Sequence, residues 1–315
     1  MKVLLTGATG FVGRPLYGEL MARGHRVVSV VRRSAGLTEE VVVPDIGDAT
    51  DWRGPLSGCD AVVHLAARVH VMGDAKNIDA FARYRRTNTD ATLNLARQAA
   101  CAGVRRFVFV SSIKADRVDG VALPGESDAS SAEEAYSASK WEAEQGLMEI
   151  AARTGMEVVI VRPPLVYGPG VKGNFAALVR WVRTGWPLPL GAVENRRSLL
   201  AVDNLVDFLA LCADHARSLQ AANQTFSLSD GEDVSTPELL MRVARAYRVS
   251  ARLVPVPPAW LRFFGRMVGK QAAVERLLGS LTVDATPARV RLGWQPVVTM
   301  DEQLARMAMA EREPR

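Results

Sequence analysis

The chain opens on a short apolar run, Lys2–Thr6, that passes straight into Thr6-Gly7-Ala8-Thr9-Gly10-Phe11-Val12-Gly13. Glycines at G-x-x-G-x-x-G spacing, set between a strand and a helix, leave few folds open. Gly7 permits a tight turn, Gly10 lets backbone come close to phosphate, and Gly13 lets helix and strand pack closely. Thr9, Phe11 and Val12 supply the intervening backbone, and the helix start offers free N–H groups and a positive dipole end. The expected reading is a strand–turn–helix unit that binds a dinucleotide pyrophosphate and begins a βα series.

The series continues. Arg26–Val31, Val41–Pro44, Ala61–Leu65, Arg106–Ser111 and Val158–Arg162 are apolar runs separated by helical patterns. That alternation predicts an α/β fold, a Rossmann-type doubly wound parallel sheet. After Arg162 the texture changes: prolines cluster at Pro163, Pro164, Pro169, Pro187 and Pro189, and again at Pro255, Pro257 and Pro258. Strand-like pieces shorten, as in Gln224–Leu228. The expectation is a dinucleotide-binding domain over 1–165, with 198–216 returning to it, and a smaller, irregular C-terminal substrate lobe over 166–315.

Composition narrows the function. A chain of 315 residues, 48% hydrophobic and 23% charged, can bury a core without disulfides or metal. Cys59, Cys101 and Cys212 show neither a disulfide framework nor metal spacing, which fits a reducing cytoplasm. No signal peptide and no apolar run of ~18 residues is visible, so no transmembrane segment is expected. The net charge of +5 comes from scattered arginines rather than a block. It suits a bound polyanionic small molecule better than nucleic acid.

The second strand ends Val31-Arg32-Arg33. A carboxylate there would accept ribose hydroxyls and favour NAD. None is present, and Arg32 can pair with a 2′-phosphate, so NADP is favoured over NAD. Asp45 and Ile46 follow the third strand, where adenine would lie. Leu65, Ala66 and Ala67 follow the fourth, where small residues let backbone approach the cofactor.

Tyr136-Ser137-Ala138-Ser139-Lys140 opens a helix. Tyr136 and Lys140, four apart, share a face. A nearby ammonium lowers the phenol pKa and makes Tyr136 a usable general acid or base. Ser111-Ser112 ends the preceding strand, 24 residues before Tyr136 counted from Ser112. Ser112 is therefore placed to hydrogen-bond the reacting oxygen, with Ser111 as the alternative if the strand end is shifted by one.

Together TGATGFVG, HLAA, the serine pair, YSASK and RPPLVYGPG resemble the extended short-chain dehydrogenases/reductases of the NAD-dependent epimerase/dehydratase family, over almost the whole chain. The resemblance implies catalytic Ser112, Tyr136 and Lys140, with Tyr136 and Lys140 also touching cofactor. It implies that Asn88 shapes the active-site helix beside the cofactor, and that Pro163, in the segment linking the lobes, touches it too. In the nucleotide-sugar members Asn174 would meet substrate, Arg197 would pair with the diphosphate, Arg276 could add a second such contact, and 182–190 would hold uracil. The family's four-helix dimer interface would fall around 79–101 and 133–154, implying a homodimer. Dehydratases of the family carry Asp-Glu directly after the catalytic hydroxyl; here Ile113 and Lys114 stand there, which argues against dehydration.

The motifs are most similar to the reductases of UDP-4-keto-6-deoxy-N-acetylhexosamines, with a UDP-hexose 4-epimerase holding NAD as the alternative. A non-catalytic NAD(P) sensor would commonly lose Tyr136 or Lys140. The stretch 259–268 has aromatic and basic residues at helical spacing; packing on the small lobe is expected, with membrane contact as the other reading.

Overall fold

The computed structural model describes residues 1–69, 79–115, 132–269 and 271–312. In chain order the elements are β1 (Lys2–Thr6), α1 (Gly13–Ala22), β2 (Arg26–Val31), β3 (Glu40–Val42), α2 (Arg53–Leu56), β4 (Ala61–His64), α3 (Asp79–Tyr84), a π-helical turn (Arg85–Asp90), α4 (Ala91–Cys101), β5 (Arg106–Val110), α5 (Ala132–Thr154) and β6 (Glu157–Arg162). They continue as β7 (Leu165–Tyr167), α6 (Gly173–Arg183), β8 (Arg197–Ala201), α7 (Val202–Ala213), β9 (Gln224–Ser227), β10 (Asp233–Val234), α8 (Thr236–Tyr247), α9 (Pro258–Met267), α10 (Gln271–Leu278), α11 (Thr286–Leu292) and α12 (Met300–Ala310).

Seven strands form one parallel sheet in the order β3-β2-β1-β4-β5-β6-β9. The order reverses between β1 and β4, the switch point where open α/β sheets bind ligands. The central strands are buried along their length, as helices on both faces require. Trp52, Leu95, Phe107, Phe109 and Leu147 belong to one core cluster under this sheet.

The chain divides into two units. The first holds Met1–Pro163, Leu205–Leu228 and Thr286–Gln295; the second holds Pro164–Asn204, Ser229–Ala285 and Pro296–Arg315. The return segment therefore starts at Leu205, not 198, and 286–295 is a further return without a sequence signal. Gln224–Leu228, expected in the small lobe, instead supplies the seventh strand: β9 pairs with β6 from Val159↔Gln224 to Arg162↔Ser227. Arg106, fully buried, ties this return to the sheet. Its guanidinium donates to Glu157, to the Ser218 hydroxyl at 2.7 Å and to the Cys212 carbonyl at 3.0 Å.

The second unit has a three-stranded sheet, β10-β8-β7, with β8 parallel to β7 and antiparallel to β10. Its core joins Tyr167, Phe175, Leu199, Leu240 and Leu304. Two of its helices are well capped. Ser235 accepts from the Glu238 N–H at the start of α8, and Thr299 with Glu302 forms a capping box on α12.

Candidate active site

The glycine turn follows β1 at the switch point. Gly7 has φ +71, the left-handed region that favours glycine. A Cβ on Gly13 would stand 2.0 Å from the Gly7 carbonyl oxygen, so the third glycine is needed for α1 to start against the turn itself. A Cβ on Gly7 would lie 3.1 Å from the Ala66 nitrogen, which puts the turn against the end of β4. Helix α1 has no side-chain cap and no acid in its first turn. Its positive end is left for a ligand anion, and a dinucleotide pyrophosphate fits that chemistry.

The end of β4 is fixed by a chain of hydrogen bonds whose direction can be assigned. The Leu65 and Ala66 N–H groups donate to Thr6 Oγ1 at 3.2 and 3.1 Å. The Thr6 hydroxyl lies 2.7 Å from His64 Nδ1, and His64 Nε2 lies 3.0 Å from Thr92 Oγ1. Thr92 donates its own proton to the Asn88 carbonyl at 2.7 Å. Thr92 can then only accept from His64, so the imidazole is neutral, with its proton on Nε2 and Nδ1 accepting from Thr6. Complete burial pushes its pKa down to about 3, helped by the Lys140 charge.

Asn88 sits in the π-helical turn between α3 and α4, a break in regular geometry that recurs at functional sites. Its amide accepts from the Arg68 N–H at 2.8 Å and donates to the Arg68 carbonyl at 3.1 Å and Ser139 Oγ at 3.0 Å. Ser139 passes its proton to the Tyr136 carbonyl at 2.8 Å, and Thr89 donates to the Ser139 carbonyl at 2.8 Å. The glycine-turn strand, the end of β4 and the first turns of α5 are thereby joined by named bonds.

On α5, Tyr136, Lys140 and Glu144 recur every four residues and share one face. Tyr136 and Ser112 hydrogen-bond, while Ser112 also accepts from the Lys114 N–H at 3.2 Å. Burial pushes the phenol up to about 12, and the Ser112 bond pulls the other way. Tyr84 meets Tyr136 edge-on, with centroids 6.2 Å apart. Lys140 is buried; its Nζ donates to the Val110 carbonyl at 2.8 Å and stands 4.4 Å from the Phe109 ring centroid. Burial lowers its pKa to about 7, opposed by Glu144. Glu144 is itself buried and takes a forked pair of bonds from Arg162. Ser111 is buried with no partner for its hydroxyl among the described residues, and Ser112 is the serine that bonds Tyr136. Pro163 accepts from the Ile113 N–H at 3.0 Å, which holds the segment after Ser112 against the end of β6.

The remaining sequence candidates are more peripheral. Arg32 is exposed at the end of β2. Asp45 faces Arg86 at 3.5 Å on the surface, and Ile46 packs against the sheet core. In the second unit, Asn174 is exposed at the start of α6, and Arg197 is half-buried at the start of β8, where burial lowers its pKa. Arg276 lies on α10, with its side chain outside the described residues. Cys59 and Cys212 are buried and Cys101 exposed, all as free thiols. No group of three metal-ligating side chains and no helix long and apolar enough to cross a membrane occurs among the described residues.

Sequence reasoning missed Thr6, His64, Thr92, Ser139, Tyr84 and Glu144. Two of them carried a signal. Glu144 continues the i, i+4 stripe from Tyr136, and Thr92 stands four residues after Asn88. Thr6 and His64 are read only from the sheet order, which sets them opposite each other, and Ser139 and Tyr84 only from contacts of α5 with the π-helical turn and α3.

Comparison with known proteins identifies the family and the fold. Residues 3–227 match the NAD dependent epimerase/dehydratase family. A UDP-glucose 4-epimerase of Vibrio cholerae is 43% identical, covering 98% of this chain and 95% of the relative. Among solved structures, UDP-N-acetylglucosamine 4-epimerase from Bacillus cereus superposes with a TM-score of 0.76 at 20% identity, covering 99% of this chain and 100% of that one. UDP-glucuronic acid 4-epimerase from the same species, in complex with NAD, gives 0.71 at 18% identity, covering 98% and 96%.

Proposed function

From its membership of the NAD dependent epimerase/dehydratase family, to which this chain belongs, we propose that it is a UDP-hexose 4-epimerase that keeps NAD bound through the cycle. The observation that carries the reading is the 43% identity to a UDP-glucose 4-epimerase over nearly the full length of both chains. The sequence motifs pointed first to a 4-ketoreductase; the relatives favour the epimerase.

When bound, NAD would supply a reversible hydride acceptor for sugar C4. The chain's own residues do the rest. Thr9, Gly10, Phe11, Val12 and Gly13 would hold the pyrophosphate at the open end of α1. Leu65, Ala66, Ala67 and Pro163 would line the strand ends beside the nicotinamide half, and Asp45 and Ile46 the adenine half. Tyr136 takes the O4 proton and gives it back. Ser112, bonded to the same phenol, orients O4. Lys140, one turn along α5 from the phenol, would hold the cofactor ribose and, when charged, lower the phenol pKa. In the second unit Arg197, and with it Asn174 and Arg276, would meet the UDP-sugar; a guanidinium fork suits a diphosphate. Helices α4 and α5 would form the homodimer interface.

One observation favours a second reading. The exposed Arg32 and Arg33, in place of an acid at the end of β2, suit NADPH and a 4-ketoreductase. The two readings separate on the nucleotide released by denaturing the purified protein. Stoichiometric NAD, with conversion of UDP-galactose to UDP-glucose without added cofactor, supports the epimerase. An empty protein that oxidises NADPH only with a UDP-4-keto sugar overturns it and makes Arg32 the specificity residue.

A further inference from the structure

Helix α9 does not bury its apolar face. Leu261 packs against the second unit's core and Gly265 is buried, so one narrow seam holds the helix down. Trp260, Phe263, Phe264, Met267 and Val268 are 58%, 57%, 52%, 69% and 66% exposed. At ~100° per residue, the i, i+3, i+4, i+7, i+8 positions form one continuous stripe beside that seam. The exposed rings gather on one another: Trp260 and Phe264 centroids are 6.0 Å apart, Phe263 and Phe264 5.5 Å. The expectation that this stretch simply packs on the small lobe is therefore wrong for most of its apolar residues.

The charge around this stripe is one-sided. Residues 239–274 contain seven Arg or Lys and no Asp or Glu, more than the whole chain's net +5. The basic bias of the sequence thus belongs to the stretch that contains α9, in which Arg242, Arg245 and Arg262 are paired with acids from outside it and Arg266 is exposed. Arg262 and Arg266 project from the helix on the side away from the stripe. Arg262 is paired with Glu275 on α10 at 3.1 Å, and Arg266 is exposed. Aromatic and Met side chains on one face of a helix that carries no acid of its own, with cations on the opposite face, match a helix that lies in the headgroup layer of a membrane. A water-filled protein interface with a neutral or basic partner would leave this charge uncompensated.

We propose that α9 is a membrane-surface anchor that docks the protein on anionic lipid, inserting the Trp260–Val268 stripe while the exposed Arg266, on the helix's other face, draws it electrostatically to the anionic surface. The occupant is a lipid surface, and the contact is peripheral: ten residues reach only about half a bilayer core even end-on. This inference goes beyond the proposed reaction and does not depend on it.

The test is flotation of the full-length protein with vesicles of phosphatidylcholine alone or with about one part in three phosphatidylglycerol. The expected result is recovery with the anionic vesicles, about tenfold weaker recovery with the neutral ones, and release as salt is raised. Phe264→Asp is expected to abolish recovery while leaving bound-nucleotide content and thermal midpoint unchanged. Arg266→Glu, which leaves the apolar stripe intact, should weaken recovery with anionic vesicles and leave the weak neutral binding alone. No flotation with anionic vesicles overturns the proposal, and so does flotation that survives Phe264→Asp. A lower mass of Phe264→Asp in light scattering, without any vesicle binding by the parent, also overturns it and assigns the stripe to a second copy of this chain. If Phe264→Asp does not fold, the Arg266→Glu comparison decides.

Discussion

Each unit of the molecule buries a polar network, and the two differ in where they end. In the first, bonds run from Thr6 through His64, Thr92, Asn88 and Ser139 to the backbone of Tyr136, whose side chain meets Ser112. In the second, Asp230 accepts from Tyr167 Oη at 2.8 Å, Asn204 Nδ2 at 2.7 Å and the Ala201 N–H at 2.8 Å. Asn204 in turn accepts from the N–H groups of Val297 and Val298 and donates to the Val298 carbonyl. This second network closes on itself. Burial raises the pKa of Asp230, yet three donors face its carboxyl, and its bonds join β7, β8 and the loop before α12. The first network positions a reactive group; the second holds elements together. Similar hydrogen-bond chemistry thus serves placement in one unit and cohesion in the other.

The contrast is tested most severely at the reactive end. Tyr136→Phe removes only the phenol oxygen, from a side chain held by the Tyr84 ring and by backbone bonds of Ser139. Turnover should fall by about 10²–10⁴-fold, the usual worth of a positioned acid–base group, with nucleotide content and thermal midpoint close to the parent's. Steady-state rates and the released nucleotide measure both. Turnover within a fewfold of the parent would remove Tyr136 from the chemistry.

In the second unit the opposite signature is expected. Asp230→Ala strands the Tyr167 hydroxyl, one N–H of the Asn204 amide and the Ala201 N–H together. That should cost about 3 kcal/mol of stability, read as a lower urea midpoint at unchanged slope. The glycine turn of the first unit is untouched, so nucleotide should still be bound below the unfolding transition. Loss of bound nucleotide at full stability would break the distinction between the two networks.

How much of this was legible in the sequence follows the same division. Five strands of the large sheet announced themselves because a strand buried on both faces reads as a nearly unbroken apolar run, and the short edge strand β3 was legible from the valines of Val41–Pro44. The seventh, Gln224–Ser227, was legible as a strand-like piece but not as part of this sheet, because an edge strand of four residues with three polar side chains does not say which sheet it joins until β6 is seen to lack a neighbour. Gly7, Gly13, Ser112, Tyr136 and Lys140 were readable since local spacing fixes their geometry. Thr6 and His64 were not, because they meet only through the parallel register of β1 with β4, 58 residues apart. Helix α9 was read as amphipathic, but periodicity gives the direction of an apolar face and not what covers it. Arg32 was legible as a missing acid, and the structure adds that the residue is exposed at the strand end.

The smallest effect lies within the first network and concerns pH. His64 is neutral in the folded protein, with its pKa down to about 3 from an ordinary 6.5. Between those values the unfolded chain binds a proton that the folded one does not, so stability rises with pH through this window and is lost as pH falls from 6.5 toward 3. The loss is at most about 2 kcal/mol at pH 5. His64→Gln keeps an amide to reach Thr92 but cannot also accept from Thr6. It should therefore be about 1 kcal/mol less stable at pH 7 and yet show a flatter acid limb, so that the two curves cross at about pH 6 and the variant is the more stable by about 1 kcal/mol at pH 5. Urea unfolding of both at several pH values between 4 and 7 measures this, and the carboxylates common to both cancel in the difference. Parallel acid limbs would mean that His64 takes up its proton without leaving the network. The assigned chain from Thr6 to Thr92 would then be wrong, because a charged imidazole has no acceptor left for the Thr6 hydroxyl.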